Sequence, residues 1–184
     1  EKDIRRNIQS GANRLVSMQC DDGGFAYWPQ GDQSEPWASA YGGMALLLCK
    51  EAGAQVSESV LKELREYLAE QLRGLGAAED WWAIETACRS CFTLALAGDP
   101  QIAYHNKLLE KPERLSPNAL AFLSLAVVKS GTEDAVQQAR KILNLKGTEK
   151  QRAGHFMSYH PSAAYRLLAL LNVDPGSSEC DEAI

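Results

Sequence analysis

Few residues in this chain have types and spacings that could do chemistry, and most of them lie in one stretch, Met18 to Tyr41, MQCDDGGFAYWPQGDQSEPWASAY. Asp21-Asp22 ahead of Gly23-Gly24 could bind a cation or a phosphate. The stretch has no lysine and no phosphate-loop spacing, and a tight inter-helix turn with glycines at positive φ accounts for the same letters. Phe25, Tyr27, Trp28 and Trp37 could line a pocket for a carbocation through their π faces. They could equally bury their large area as a plug at one end of a helical barrel. Cys88-x-x-Cys91 is the one metal-like cysteine spacing; it falls mid-helix without a second pair, so packing as small hydrophobes fits better. His105, His155 and His160 are the three histidines. The last two flank a loop where a ligand or general-base role is conceivable. No nucleophile or partner carboxylate is close in sequence, and surface or cap roles fit all three. No D-x-D-D or D-D-x-x-D cluster is present to start a terpenoid ionisation. This reading names no catalytic residue, no cofactor and no metal ligand.

The elements that would position these residues are helices throughout. The chain has 184 residues with 45% hydrophobic side chains, enough for one domain with a sizeable core. Its net charge of −5 is scattered, which argues against nucleic acid, where a basic stripe is needed, and against an anionic membrane surface. No apolar run is long enough to span a bilayer. Five sparse cysteines do not form a disulfide framework and leave the redox compartment open. The chain begins at Glu1 rather than Met, which reads as a processed or excised piece of something longer.

Eight helices are expected. The first runs from about Asp3 to Met18 with a stripe of Ile4, Ile8, Ala12, Leu15 and Val16. The second opens at Pro36 in its first turn and stops at Gly53. The third follows a Ser57 cap and turns Leu61, Leu64, Leu68 and Leu72 inward. The fourth covers about Trp81 to Ala97, with Trp81-Trp82 packing at a rim. The fifth is short, about Gln101 to Glu110. The sixth opens at Ser116-Pro117 and ends at Gly131. The seventh follows Thr132 and carries Ala135, Ala139, Ile142 and Leu143. The eighth follows Pro161 and closes at Asp174-Pro175-Gly176. Odd helices are amphipathic and even ones apolar nearly all round, so an outer layer alternates with an inner one. The inner helices end at Gly53, Gly98, Gly131 and Gly176, spaced 45, 33 and 45 residues, the period of a helix-pair repeat. The expected fold is all-α with about four helix pairs, either an open solenoid or a closed α/α toroid. Residues 1–176 form this domain and 177–184 a polar tail.

The stretch QCDDGGFAYW, Gln19 to Trp28, resembles the Q-x-x-x-G-x-x-x-W loop of terpenoid-cyclase and prenyltransferase-like toroids. With PWASAY opening the next helix, it looks specifically like the thioester domain of bacterial α2-macroglobulin-like proteins, where a Q-x-D-G-G-F-x-x-W loop precedes W-x-T-A-Y. The stretches RLSPNALA from Arg114 and AAYRLLALLNVDP from Ala163 agree, so the resemblance covers nearly the whole chain. It favours the toroid and marks Gln19, Asp22, Gly23, Gly24, Phe25, Trp28, Trp37 and Tyr41 as a structural signature loop. The family's internal thioester joins Cys and Gln of a C-x-E-Q motif, and no cysteine here is followed by Gln three residues later. Either the thioester segment lies upstream of this chain, or this is a member without one.

What the resemblance implies is a scaffold within a broad-spectrum protease inhibitor that traps proteases and is not itself an enzyme. Its partners would be target proteases, through the parent protein, and neighbouring domains of the same chain. Nucleic acid and direct membrane insertion have no place in that picture. The compartment would be periplasmic, cell-envelope or extracellular. Two other classes stay open: a terpene-cyclase or prenyltransferase-like enzyme, and a helical-repeat interaction module. A toroid cut short would also leave apolar edges on the first, second and last helices.

Overall fold

The computed structural model describes residues 2–75, 80–148, 160–178 and 180. The chain divides into two compact units, residues 1–77 and 78–184. Among the described residues every regular element is helical, and the one β-type pairing is an isolated bridge between Gln19 and Phe25.

The first unit holds α1 (Lys2–Val16), α2 (Pro36–Glu51) and α3 (Glu58–Arg73). Their ends follow local chemistry. Pro36 sits in the first turn of α2, where its missing N–H costs no bond. After α2, Gly53 adopts φ +97° and the Ala54 N–H reaches back to the Cys49 carbonyl at 2.9 Å, which satisfies an otherwise open helix-end acceptor. Ser57 caps α3 by accepting from the Ser59 N–H. Leu61, Leu64, Leu68 and Leu72 are buried as the stripe requires, and Tyr67 joins them. Burying each leucine contributes about 1.5–3 kcal/mol. Helix α1 ends two residues earlier than its periodicity suggests. Met18 and Gln19 instead make tight i→i−3 bonds to Leu15 and Val16, because the Met18 carbonyl is taken by the Ala26 N–H of the loop. Its stripe is also less covered than expected: Ala12 is fully buried, but Ile4 is 63% exposed. On α2, Tyr41 and Leu48 are exposed as well.

The second unit holds α4 (Trp81–Leu96), α5 (Ile102–Leu109), a 3-10 turn at Pro112–Arg114, α6 (Pro117–Lys129), α7 (Ala135–Leu143) and α8 (His160–Val173). Asp80 caps α4 through Trp82 and Ala83, and Ser116 caps α6 through Ala119. Helices α4 and α6 form the centre: Ile84 to Ala95 and Asn118 to Val127 are buried without a break. Phe122 of α6 lies between Phe92 of α4, centroids 6.0 Å apart, and Tyr165 of α8 at 4.6 Å. Ser124 donates to the Ala139 carbonyl, which ties α6 to α7, and Arg166 donates to the Leu143 carbonyl, which ties α8 to α7. Ala135, Ala139, Ile142 and Leu143 are all buried. Leu168 and Leu171 of α8 stay exposed, as Tyr41 and Leu48 do on α2. Cys88 and Cys91 pack inside α4 as reduced thiols.

Two features of the core concern polar side chains, and the second departs from the sequence reading. The α4 core includes Glu85 and Arg89, both buried, with the guanidinium 4.6 Å from the centre of the Phe122 ring. His105 is neither surface nor cap: it is 2% exposed, and its Nε2 has no hydrogen-bond partner among the described residues. His105 and Leu108 turn inward on α5, which packs against α4 and α6, while Ile102 stays exposed. His155 lies outside the described residues, and residue 160 opens α8.

Burial lowers the His105 pKa from 6.5 to about 4. The unfolded chain therefore takes up a proton that the native state refuses. The stabilisation is complete above the unfolded value and is lost as pH falls through the window down to about 4. Urea unfolding at about pH 7 and about pH 5 should show His105→Leu losing roughly 1–2 kcal/mol less than the parent chain over that interval. Equal losses would place the imidazole in contact with water.

Candidate functional site

The loop joining α1 to α2 contains every signature residue except those at the start of α2, and it is built from the backbone outward. Asp22 closes a local turn by accepting the Gly24 N–H at 3.0 Å on Oδ1. Gly23 donates to the Cys20 carbonyl and Cys20 to the Gly24 carbonyl, at 2.9 and 2.8 Å. Gly23 sits at φ +86°, and a Cβ there would lie 2.4 Å from the Glu63 carbonyl oxygen of α3. At Gly24 a Cβ would meet both the Tyr67 ring and Ser34 Cβ at 2.7 Å. The Gly-Gly pair is therefore there for close approach to α3. Nothing in its geometry requires a phosphate.

Three side chains then lock the loop to its neighbours. Gln19 Nε2 donates to the Gly23 carbonyl at 3.1 Å and to the Val60 carbonyl at 3.0 Å, bridging loop and α3. Ser34 donates to Asp22 Oδ2 at 2.6 Å and stands 3.1 Å from the Tyr67 hydroxyl. The Phe25 N–H donates to Ser39 Oγ at 2.8 Å, Ser39 Oγ donates to the Glu35 carbonyl at 2.7 Å, and the Glu35 N–H returns to the Phe25 carbonyl at 2.9 Å. That closed circuit sets where α2 begins. Ser34, Ser39, Glu63 and Tyr67 were not singled out by sequence. Only Tyr67 carried a signal, as a ring three residues beyond Leu64 on the inward face of α3.

The aromatic residues divide. Phe25 is 1% exposed, Trp37 is half-buried and stacked on Tyr41 with centroids 5.3 Å apart, and Tyr27 and Trp28 stand out in solvent at 50% and 74%. Rings split in this way do not line a common pocket. Asp22 is committed to Gly24 and Ser34, so Asp21-Asp22 offers no free carboxylate pair. The Cys20 thiol is half-buried, and burial, with the nearby carboxylates of Asp22, Asp21 and Asp32, pushes its pKa up; it is held as the thiol rather than the nucleophilic thiolate. Among the described residues no three of His, Cys, Asp and Glu gather in a way that could hold a metal, and no helix is long and apolar enough to cross a membrane. The arrangement can present a rigid surface; no side chain in it is poised to attack a substrate.

In urea, Gly23→Ala and Gly24→Ala should each cost about 2–4 kcal/mol, from strained backbone at the first and overpacking against the Tyr67 ring at the second. Trp28→Ala in the same loop should stay within about 0.5 kcal/mol. A Trp28→Ala loss as large as the glycine losses would mean that the indole packs rather than projects.

No family model matches the chain. Among curated proteins it is similar to alpha-2-macroglobulin of Escherichia coli K12, 32% identical over 98 residues, which is 50% of this chain and 6% of that protein. It superposes on native E. coli alpha-2-macroglobulin, solved from domain MG7 to the C-terminus, with TM-score 0.80 and 21% identity over 99% of this chain and 30% of that one. Trypsin-activated alpha-2-macroglobulin of E. coli gives TM-score 0.79 and 21% identity over 97% of this chain and 13% of that one. The chain thus spans only a small part of the length of the proteins it matches. Over half its length the chain is similar in sequence to bacterial alpha-2-macroglobulin, and over nearly all of it the all-α fold is that of the matching part of native E. coli alpha-2-macroglobulin.

Proposed function

We propose that this chain is the scaffold part of the thioester domain in a bacterial alpha-2-macroglobulin-like inhibitor that traps proteases. The observation that carries the reading is the fold match over 97–99% of the chain to native and trypsin-activated E. coli alpha-2-macroglobulin. In this reading residues 1–176 belong to one toroid domain and 177–184 are its tail. A target protease cuts a bait region elsewhere in the parent, the parent rearranges, and a thioester carried outside these residues acylates the attacker.

The role of the present residues is physical. A thioester survives only where water is kept away from it, and a wall of packed helices does that. Continuous burial along α4 and α6 and a loop whose polar groups are satisfied internally suit such a wall. The segment is non-catalytic in this account, consistent with Cys20 being held protonated. Its partners are neighbouring domains of the same polypeptide and, through the parent, proteases. The site of action in this reading is the periplasm, the cell envelope or the extracellular space.

The test is made on the full-length parent, by intact mass and free-thiol titration before and after methylamine. Addition of one methylamine together with one new thiol is the expected result, since aminolysis of a thioester releases its thiol as the amide forms. An unchanged mass and thiol count would overturn the thioester role.

A further inference from the structure

We propose that the tip of the α1–α2 loop, Tyr27 and Trp28 in a loop that also carries the carboxylates of Asp21, Asp32 and Glu35, is a docking surface for an arginine-bearing basic segment of a partner protein. The two rings are the starting point. Trp28 is 74% and Tyr27 50% exposed in a loop that buries Phe25 almost completely. Tryptophan and tyrosine supply large contact area with few rotors, and with arginine they dominate protein interfaces.

The tip is also held in shape before any partner arrives. The Gln30 N–H donates to the Ser17 carbonyl at 3.2 Å, and Gly31 donates to the Trp28 carbonyl at 3.1 Å. The Cys20 thiol meets the Gly31 carbonyl at 3.5 Å. Gln30 keeps φ +64°, a conformation that a non-glycine residue holds only when its surroundings impose it. A surface fixed in this way binds without first losing loop entropy.

Charge decides which occupant fits. From Leu15 to Cys49 the sequence has no lysine or arginine and four carboxylates, Asp21, Asp22, Asp32 and Glu35. Asp21 and Asp32 are exposed, and Glu35 lies close enough to Tyr27 to help raise its phenol pKa after burial. A guanidinium stacks on an indole face and pairs with flanking carboxylates at once. A second copy meeting it with the same loop would bring like charge against like, and an anionic bilayer would be repelled. Basic protein sequence satisfies both the rings and the carboxylates. This inference does not rest on the thioester reading, because it concerns a surface of the chain itself.

The test is calorimetric titration of the full chain with a short synthetic peptide of alternating arginine and glycine, with an alternating glutamate and glycine peptide as control. Binding of the basic peptide only is expected. Trp28→Ala should weaken it roughly five- to thirtyfold, and Asp21→Asn with Asp32→Asn should weaken it and flatten its salt dependence. Unchanged far-UV dichroism checks that the variants fold. No heat with the parent chain, or equal affinity in Trp28→Ala, would overturn the proposal. So would sedimentation showing a dimer that Trp28→Ala dissolves, since the occupant would then be a second copy.

Discussion

The approach of the Gly23-Gly24 backbone to α3 is the contact on which the first unit depends. A main chain that would put a Cβ 2.4 Å from the Glu63 carbonyl and 2.7 Å from the Tyr67 ring leaves no room for any residue but glycine. From that contact the rest follows in order. The turn closed by Asp22 directs Phe25 inward, the Phe25 backbone engages Ser39 and Glu35, and α2 starts where that circuit closes. Gln19 secures the other end by reaching both the loop and α3. Each bond contributes only about 0.5–1.5 kcal/mol, but breaking one strands a part-buried partner at about 1–3 kcal/mol. The loop is therefore cooperative rather than hinged.

The second unit solves a different problem. Two helices buried on all sides cannot be amphipathic, so the polar residues on them need partners inside, and among the described residues Thr86 Oγ1 and Asn118 Oδ1 are buried without one. Ser116 caps its own helix, Ser124 reaches across to α7, and Thr93 returns its hydroxyl to the Arg89 carbonyl. Arg89 itself lies over the Phe122 ring, which touches aromatic neighbours on two further helices. The cation replaces part of its lost hydration with a π face, and the ring cluster becomes the meeting point of α4, α6 and α8.

Much of this was legible in the residues. The leucine stripe of α3, the prolines opening α2 and α6, the serine caps and the glycines after α2, α4 and α6 are local signals, and local physics places them. The Asp-Gly-Gly turn was legible for the same reason. The fates of the rings were not: Phe25 and Trp28 are three residues apart and both large rings, and the packing of Phe25 against Gly42 of α2 separates the buried one from the exposed one. His105 was misplaced by type, since a histidine in a short polar helix is an ordinary surface residue until packing faces it inward. The end of α1 moved because the loop competes for the Met18 carbonyl, a long-range event that periodicity does not register.

The buried cysteines of α4 carry a consequence for the chemistry the protein can tolerate. Burial pushes the Cys91 thiol up to about 12 and raises Cys88 as well, with no solvent path to either side chain. Peroxide, disulfide exchange and alkylating agents all act on the thiolate, so neither sulfur is a redox centre while the helix stays packed. Those two thiols thereby stay inert in an oxidising medium, whereas Cys20 and Cys49 are only partly buried. Unfolding, by contrast, would expose two adjacent sulfurs at once, and an oxidised pair three residues apart could not return to the helix without reduction.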